Sequence, residues 1–141
     1  MGRDDAIGVF DSGVGGLTVL RALAAALPHE EFIYLADTGR YPYGTKSAET
    51  VTRYSLDNAD FLMGRGVKML VVACNTASAV SLEAIAARHA VPVVGVIQPG
   101  ARAAVARTQS RQVGVIATEG TIGSGAYTRA LRALAPSVEV F

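Results

Sequence analysis

The chain has 141 residues, with 13 Lys or Arg against 12 Asp or Glu and a formal net charge of +1. Half of it is hydrophobic and 18% charged, which excludes a disordered chain, and the scattered, nearly balanced charge excludes a general pull toward nucleic acid or anionic membrane. The single cysteine excludes an internal disulfide and fits a reducing cytoplasm, and no apolar run is long enough to span a membrane.

Met1-Gly2-Arg3-Asp4-Asp5 leads directly into a short apolar segment, without the long apolar stretch of a signal peptide. Ala6–Phe10 is predicted as a first strand, and Gly16–Leu27, with Leu17, Leu20, Leu23 and Leu27 at helical spacing, as a helix. Phe32–Ala36 is a second strand, ending in the turn-prone Asp37-Thr38-Gly39. Ser47–Met63 is a longer helix, with Ser47 and Glu49 near its start and Gly64 near its stop. Val67–Ala73 is a strand of the fully buried kind, followed by a helix over Ala77–His89 and a strand over Val93–Ile97. Gln98-Pro99-Gly100 breaks the pattern; helix Ala101–Arg107, strand Val113–Ala117, helix Ser124–Leu134 and strand Ser137–Phe141 follow.

This alternation implies an α/β fold with a parallel sheet flanked by helices. The candidate boundary is Gln98-Pro99-Gly100, and the chain stops on Val140-Phe141 inside a predicted strand, as a fragment of a longer protein would.

Ligands of open α/β sheets bind at the carboxyl ends of the strands. Four polar segments are expected there: Asp11 to Gly16, Asp37 to Gly44, Cys74-Asn75-Thr76, and Thr118 to Thr121. The glycines of the first could cradle an anion or only make a tight turn. A dinucleotide fingerprint starting from Gly13 and Gly15 fails at Thr18, although Asp37 stands where a ribose-binding acid would. Asp11 and Ser12 favour a use, because a carboxylate just outside a sheet is costly without one. In the second segment, Pro42 stiffens the chain, Tyr43 could offer a hydroxyl and Gly44 a bare N–H; an ordinary turn with surface tyrosines is the plainer reading of that stretch alone.

A lone cysteine in a core strand is usually an inert small hydrophobe. Cys74, however, is the last strand position before a helix, where backbone dipoles favour a thiolate, and Asn75 and Thr76 can donate hydrogen bonds to it or to a carboxylate. His29 and His89 fall at helix ends and read as surface residues, so a Cys–His dyad is unsupported. No metal-ligand spacing and no paired carboxylates of the glycosidase kind are present.

Taken together, the blocks Ile7–Val19, Tyr34–Thr38 with Pro42-Tyr43-Gly44, Val72–Ala79, Val91–Ile97 with Pro99-Gly100, and Gly114–Thr121 resemble the glutamate racemase family, in the family's order and over almost the whole chain. The resemblance implies a pseudo-symmetric two-lobed fold. Of it, residues 1–97 would be most of the first lobe, carrying the Cys74 half-site, and residues 98–141 the start of the second. It also implies cofactor-independent interconversion of L- and D-glutamate, supplying the D-enantiomer for peptidoglycan in the cytoplasm. Without an electron sink, such a reaction needs an acid/base group on each face of Cα. Cys74 matches the first of the family's two cysteines, and Asp11 the residue that orients or helps deprotonate it. Ser12, Tyr43, Gly44, Asn75 and Thr76 match substrate contacts, as do Thr118 and Thr121. The family's second cysteine, in a Cys-Thr-His segment, is absent, so the isolated piece is expected not to racemise. Neither a metal nor a cofactor is implied, and a homodimer is allowed without being specified. The alternatives are a non-catalytic amino-acid-binding or interaction module and a nucleotide-binding Rossmann-type domain.

Overall fold

Side chains of a strand point alternately to opposite faces, and the first strand feeds two cores in this way. In the computed structural model, which describes residues 5–141, β1 (Ile7–Asp11) sends Phe10 into one cluster and Ile7 and Val9 into another. Met1 to Asp4, most of the segment read against a signal peptide, lie outside the described residues. β1 pairs in parallel with β2 (Phe32–Ala36) and with β3 (Met69–Val72), and β3 pairs with β4 (Val93–Gly95), giving the order β2-β1-β3-β4. β1 is apolar on both faces because both are covered, as in other parallel sheets; at the β4 edge Val94 stays exposed.

On one face, α2 (Ala48–Met63), α3 (Asn75–Val80) and α4 (Leu82–Arg88) pack Val51, Leu62, Ala77 and Ile85 against Phe10, Leu70 and Val72. On the other, α1 (Leu17–Ala26) lays Val19, Leu20 and Leu23 over Ile7, Val9, Val71 and Ala73. Burying side chains such as Phe10 and Leu70 contributes about 1.5–3 kcal/mol each. The Ser47 hydroxyl caps α2 by accepting from the Thr50 N–H at 3.2 Å, as its position before the apolar repeat predicts.

A second core is built by α5 (Ile97–Arg107), α7 (Ala126–Leu134), β5 (Gln112–Val113) and β6 (Glu139–Val140), with α6 (Glu119–Gly123) leading into α7. β5 and β6 form their own parallel pair.

Three expectations are corrected. Gln98-Pro99-Gly100 does not interrupt the pattern but lies in the first turn of α5, where proline's missing N–H would have had no intrahelical acceptor. The helix expected over Ala77–His89 is two, α3 and α4, divided at Ser81, whose hydroxyl donates back to the Ala77 carbonyl at 2.6 Å. The expected strand Val113–Ala117 is shorter: its pairing ends at Val115, whose N–H donates to the Phe141 carbonyl at 2.8 Å, and Ile116 stands fully in solvent. Among the described residues no helix is long and apolar enough to cross a membrane.

Candidate active site

β1 and β3 are neighbours whose connections leave toward opposite edges of the sheet. A crevice opens at the carboxyl ends of such a pair, and this is where doubly wound sheets bind ligands. The end of β1 delivers Asp11 and Ser12 there, and the end of β3 delivers Cys74. The Cys74 thiol is 3.5 Å from the Ser12 hydroxyl, and its sulfur accepts from the Ala77 N–H at 3.4 Å. Cys74 thus caps α3 while forming part of the crevice wall.

The Asp11 carboxylate is buried and accepts from the Gly16 N–H at 2.8 Å. This contact needs glycine, since a Cβ at Gly16 would fall 2.7 Å from Asp11 Cβ and 2.9 Å from Ala73 Cβ. Tyr34 reaches the same corner from β2, its hydroxyl 3.5 Å from the Gly13 carbonyl. Its pKa is raised, first by burial, then by the negative charges of Asp11 and of a Cys74 thiolate. Sequence reasoning gave Tyr34 no role; the available signal was a polar-tipped aromatic on the strand paired with β1.

The second polar segment divides. Tyr41 is exposed, whereas Tyr43 is fully buried, so surface tyrosines describe only the first. The Tyr43 hydroxyl donates to Asp37 in a short contact and accepts from Asn58 Nδ2 at 3.0 Å. It is committed within the protein rather than offered to a ligand, and Tyr43 serves the cavity as wall. Arg40 closes the cluster, donating to Asp37 at 2.7 Å, Asp57 at 2.7 Å and Asn58 at 2.8 Å, with its guanidinium 4.3 Å from the Tyr54 ring centroid. Asp37, the ribose-acid candidate of the Rossmann alternative, is spent here on Arg40 and Tyr43.

Burial and the Asp37 carboxylate push the Tyr43 pKa far above the usual phenol range. The unfolded chain therefore loses its tyrosine protons first, near pH 10, and folding stability falls as pH rises beyond that point. The expected result is an alkaline loss of stability in urea titrations, made shallower by Tyr43→Phe.

Gly44 meets the second core. Its carbonyl accepts from the Gly120 N–H at 3.0 Å, and a Cβ there would fall 2.5 Å from Thr118 Cβ. The hydroxyls of Thr76, Thr118 and Thr121 form a closed triangle of 2.8, 3.2 and 3.0 Å.

Asp11, Ser12, Tyr43, Gly44, Cys74, Asn75, Thr76 and Thr118 all line one cavity of about 330 Å³, within the size range of small-molecule clefts. Thr121 joins only through its threonine partners and lines the neighbouring cavity, which Asn75 and Thr118 share. The Asn75 side chain accepts from the Tyr127 hydroxyl at 2.6 Å, a contact from α7 that sequence spacing could not show.

His29 is exposed as expected, but His89 is not a surface residue: its side chain is 11% exposed, with Nε2 3.0 Å from Asp60 Oδ1. The end of α4 folds against α2 there, and Arg88 also pairs with Asp60. Both histidines lie outside the cavity lining. Among the described residues no group of three or more His, Cys, Asp or Glu is placed to hold a metal.

A parallel α/β sheet with a buried thiol, a hydroxyl and a carboxylate gathered at its switch point is a doubly wound fold with its candidate ligand cleft at the strand ends. The chain belongs to the Asp/Glu/hydantoin racemase family, whose model matches residues 7–140. It is 64% identical over 135 residues to a glutamate racemase of Geobacter metallireducens, covering 96% of this chain and 50% of that protein. Among solved structures, a glutamate racemase isoform of Bacillus anthracis superimposes with a TM-score of 0.95 at 45% identity, over 99% of this chain and 52% of the other. The Francisella tularensis glutamate racemase in complex with D-glutamate gives 0.89 at 41% identity, over 98% and 52%. The chain spans about half the length of these relatives.

Proposed function

We propose that the chain is the half of a cofactor-independent glutamate racemase that carries one of its two acid/base thiols. The observation that carries this reading is the Cys74 sulfur at the rim of the β1–β3 crevice, 3.5 Å from Ser12 and in one cavity with Asp11. A relative solved with D-glutamate over the same fold supports the substrate.

In this scheme the Cys74 thiolate takes the Cα proton from one face of glutamate, and the electron pair stays on the substrate as a carboxylate-stabilised carbanion. A group on the opposite face returns a proton and inverts the centre; reprotonation by Cys74 restores the starting enantiomer. Ser12 hydrogen-bonds the sulfur, and Asp11 holds the corner from which that thiol works. The bare Gly44 backbone, Asn75, Thr76 and Thr118 offer donors to the carboxylates, with Thr121 behind them. Tyr43 holds the wall.

Residues 1–97 correspond in this proposal to most of one lobe and 98–141 to the start of the other, consistent with their separate sheets and core clusters. The opposite-face group belongs to the length of the relatives that this chain does not span. The whole enzyme would act in the cytoplasm, providing D-glutamate for peptidoglycan.

Solvent deuterium incorporation at Cα tests the reading. The 141-residue chain is expected to label one glutamate enantiomer only, without racemising it. Sustained racemisation by this chain alone would sink the two-thiol account. Glutamate binding that is indifferent to Cys74→Ser, with no labelling at all, would favour a non-catalytic binding module.

A further inference from the structure

Asn75 stands between two cavities. One is the 330 Å³ cleft of Cys74; the other, about 360 Å³, is walled by Gly100, Ala104, Val115 and Tyr127. An asparagine side chain ends in an acceptor and a double donor, and the two are interchangeable unless a neighbour fixes them. Here the neighbour is the Tyr127 hydroxyl, at 2.6 Å. That distance is typical of O–H···O contacts and short for N–H···O, so the amide oxygen faces the phenol. Among the described residues nothing else holds the amide. Burial raises the Tyr127 pKa and keeps the phenol a donor.

Gly100 supplies an independent observation. It lies in the first turn of α5, where no positive φ requires glycine. A Cβ at this position would come within 3.3 Å of the Tyr127 hydroxyl and 3.5 Å of its ring. The glycine leaves room for that hydroxyl to reach α3.

We propose that Tyr127 is a positioning residue: by donating to Asn75 Oδ1 it turns the Asn75 Nδ2 group toward the cleft, where its N–H donors take a substrate carboxylate. This rests on the glutamate reading above and deepens it. The second core thereby contributes to ligand recognition through a residue that does not line the Cys74 cleft.

The test uses the whole 141-residue chain with L- and D-glutamate titrated by calorimetry. Tyr127→Phe is expected to weaken glutamate about two- to tenfold, the range of one neutral hydrogen bond. Asn75→Ala is expected to weaken it at least as much. If Tyr127 acts through Asn75, the double variant binds no worse than Asn75→Ala. Equal losses from Tyr127→Phe in both backgrounds would mean a general structural role and overturn the proposal.

A ligand-free readout runs beside it. The Asn75 side-chain amide resonances are expected to shift in Tyr127→Phe while the α3 backbone amides stay in place; an unchanged side-chain signal overturns the proposal. Should Tyr127→Phe not fold, Gly100→Ala, which presses a methyl on the same hydroxyl, is expected to move the same resonances, and their constancy overturns it equally. If the native chain binds no glutamate, the functional reading falls, and the resonances alone decide the role of Tyr127.

Discussion

Cys74→Ser is expected to reduce deuterium incorporation into glutamate by about 10²–10⁴-fold, the usual contribution of a positioned acid/base group. A serine hydroxyl fits the space, and the Ala77 N–H keeps an oxygen acceptor in place of sulfur. The fold should therefore persist. What disappears is the sulfur acid/base, which an alcohol, a far weaker acid, does not replace. Mass-spectrometric label uptake, normalised to bound glutamate, measures the effect. Uptake within threefold of the native chain would move the proton transfer to another residue, with Asp11 the next to examine.

Asp37→Ala is expected to cost about 2 kcal/mol of folding stability, read as a lower urea midpoint with an unchanged slope. The carboxylate is the shared acceptor for Arg40 Nε and the Tyr43 hydroxyl. Its removal leaves a buried phenol with one partner fewer and a partly buried guanidinium with Asp57 as its remaining carboxylate. The figure is kept below that of a fully buried ion pair because Arg40 is 29% exposed and screened by solvent. Asp37→Asn retains an acceptor and is expected to lose less. Because Tyr43 precedes Gly44, both variants should also weaken glutamate binding; a midpoint change without any change in affinity would uncouple this cluster from the cleft.

Much of this was legible in the chain. Phe32–Ala36 is a strand with the bounds its apolar run predicts, and Ser47 caps the helix it precedes. Local pattern predicts Cys74 as the last position of a strand; the strand ends at Val72 and Cys74 caps the helix that follows, still at the carboxyl edge of the sheet. Pro99 misled because the same residue that breaks a helix interior is harmless in a first turn. Ser81 was invisible because its hydroxyl competes with the backbone only once the helix is formed. Gly114–Ala117 has a strand-like composition, but its pairing ends at the Val115 N–H, which donates to Phe141, and Ile116 is left in solvent. Tyr43 and Tyr127 could not be placed from spacing at all. Their hydroxyl partners are Asp37 and Asn58 for one and Asn75 for the other, and the contact from Tyr127 spans 52 positions.

The strand order has a consequence for how the molecule forms. β1 takes its inner neighbour from Met69–Val72, more than fifty residues downstream, rather than from the next turn of chain. Closing so long a loop costs conformational entropy before any pairing rewards it, and such contacts slow folding. During synthesis, Asp11 and Ser12 must wait until β3 has emerged before Cys74 can stand beside them. A nascent chain halted before residue 69 would display an apolar β1 edge without its central partner, a surface suited to chaperone capture or to self-association.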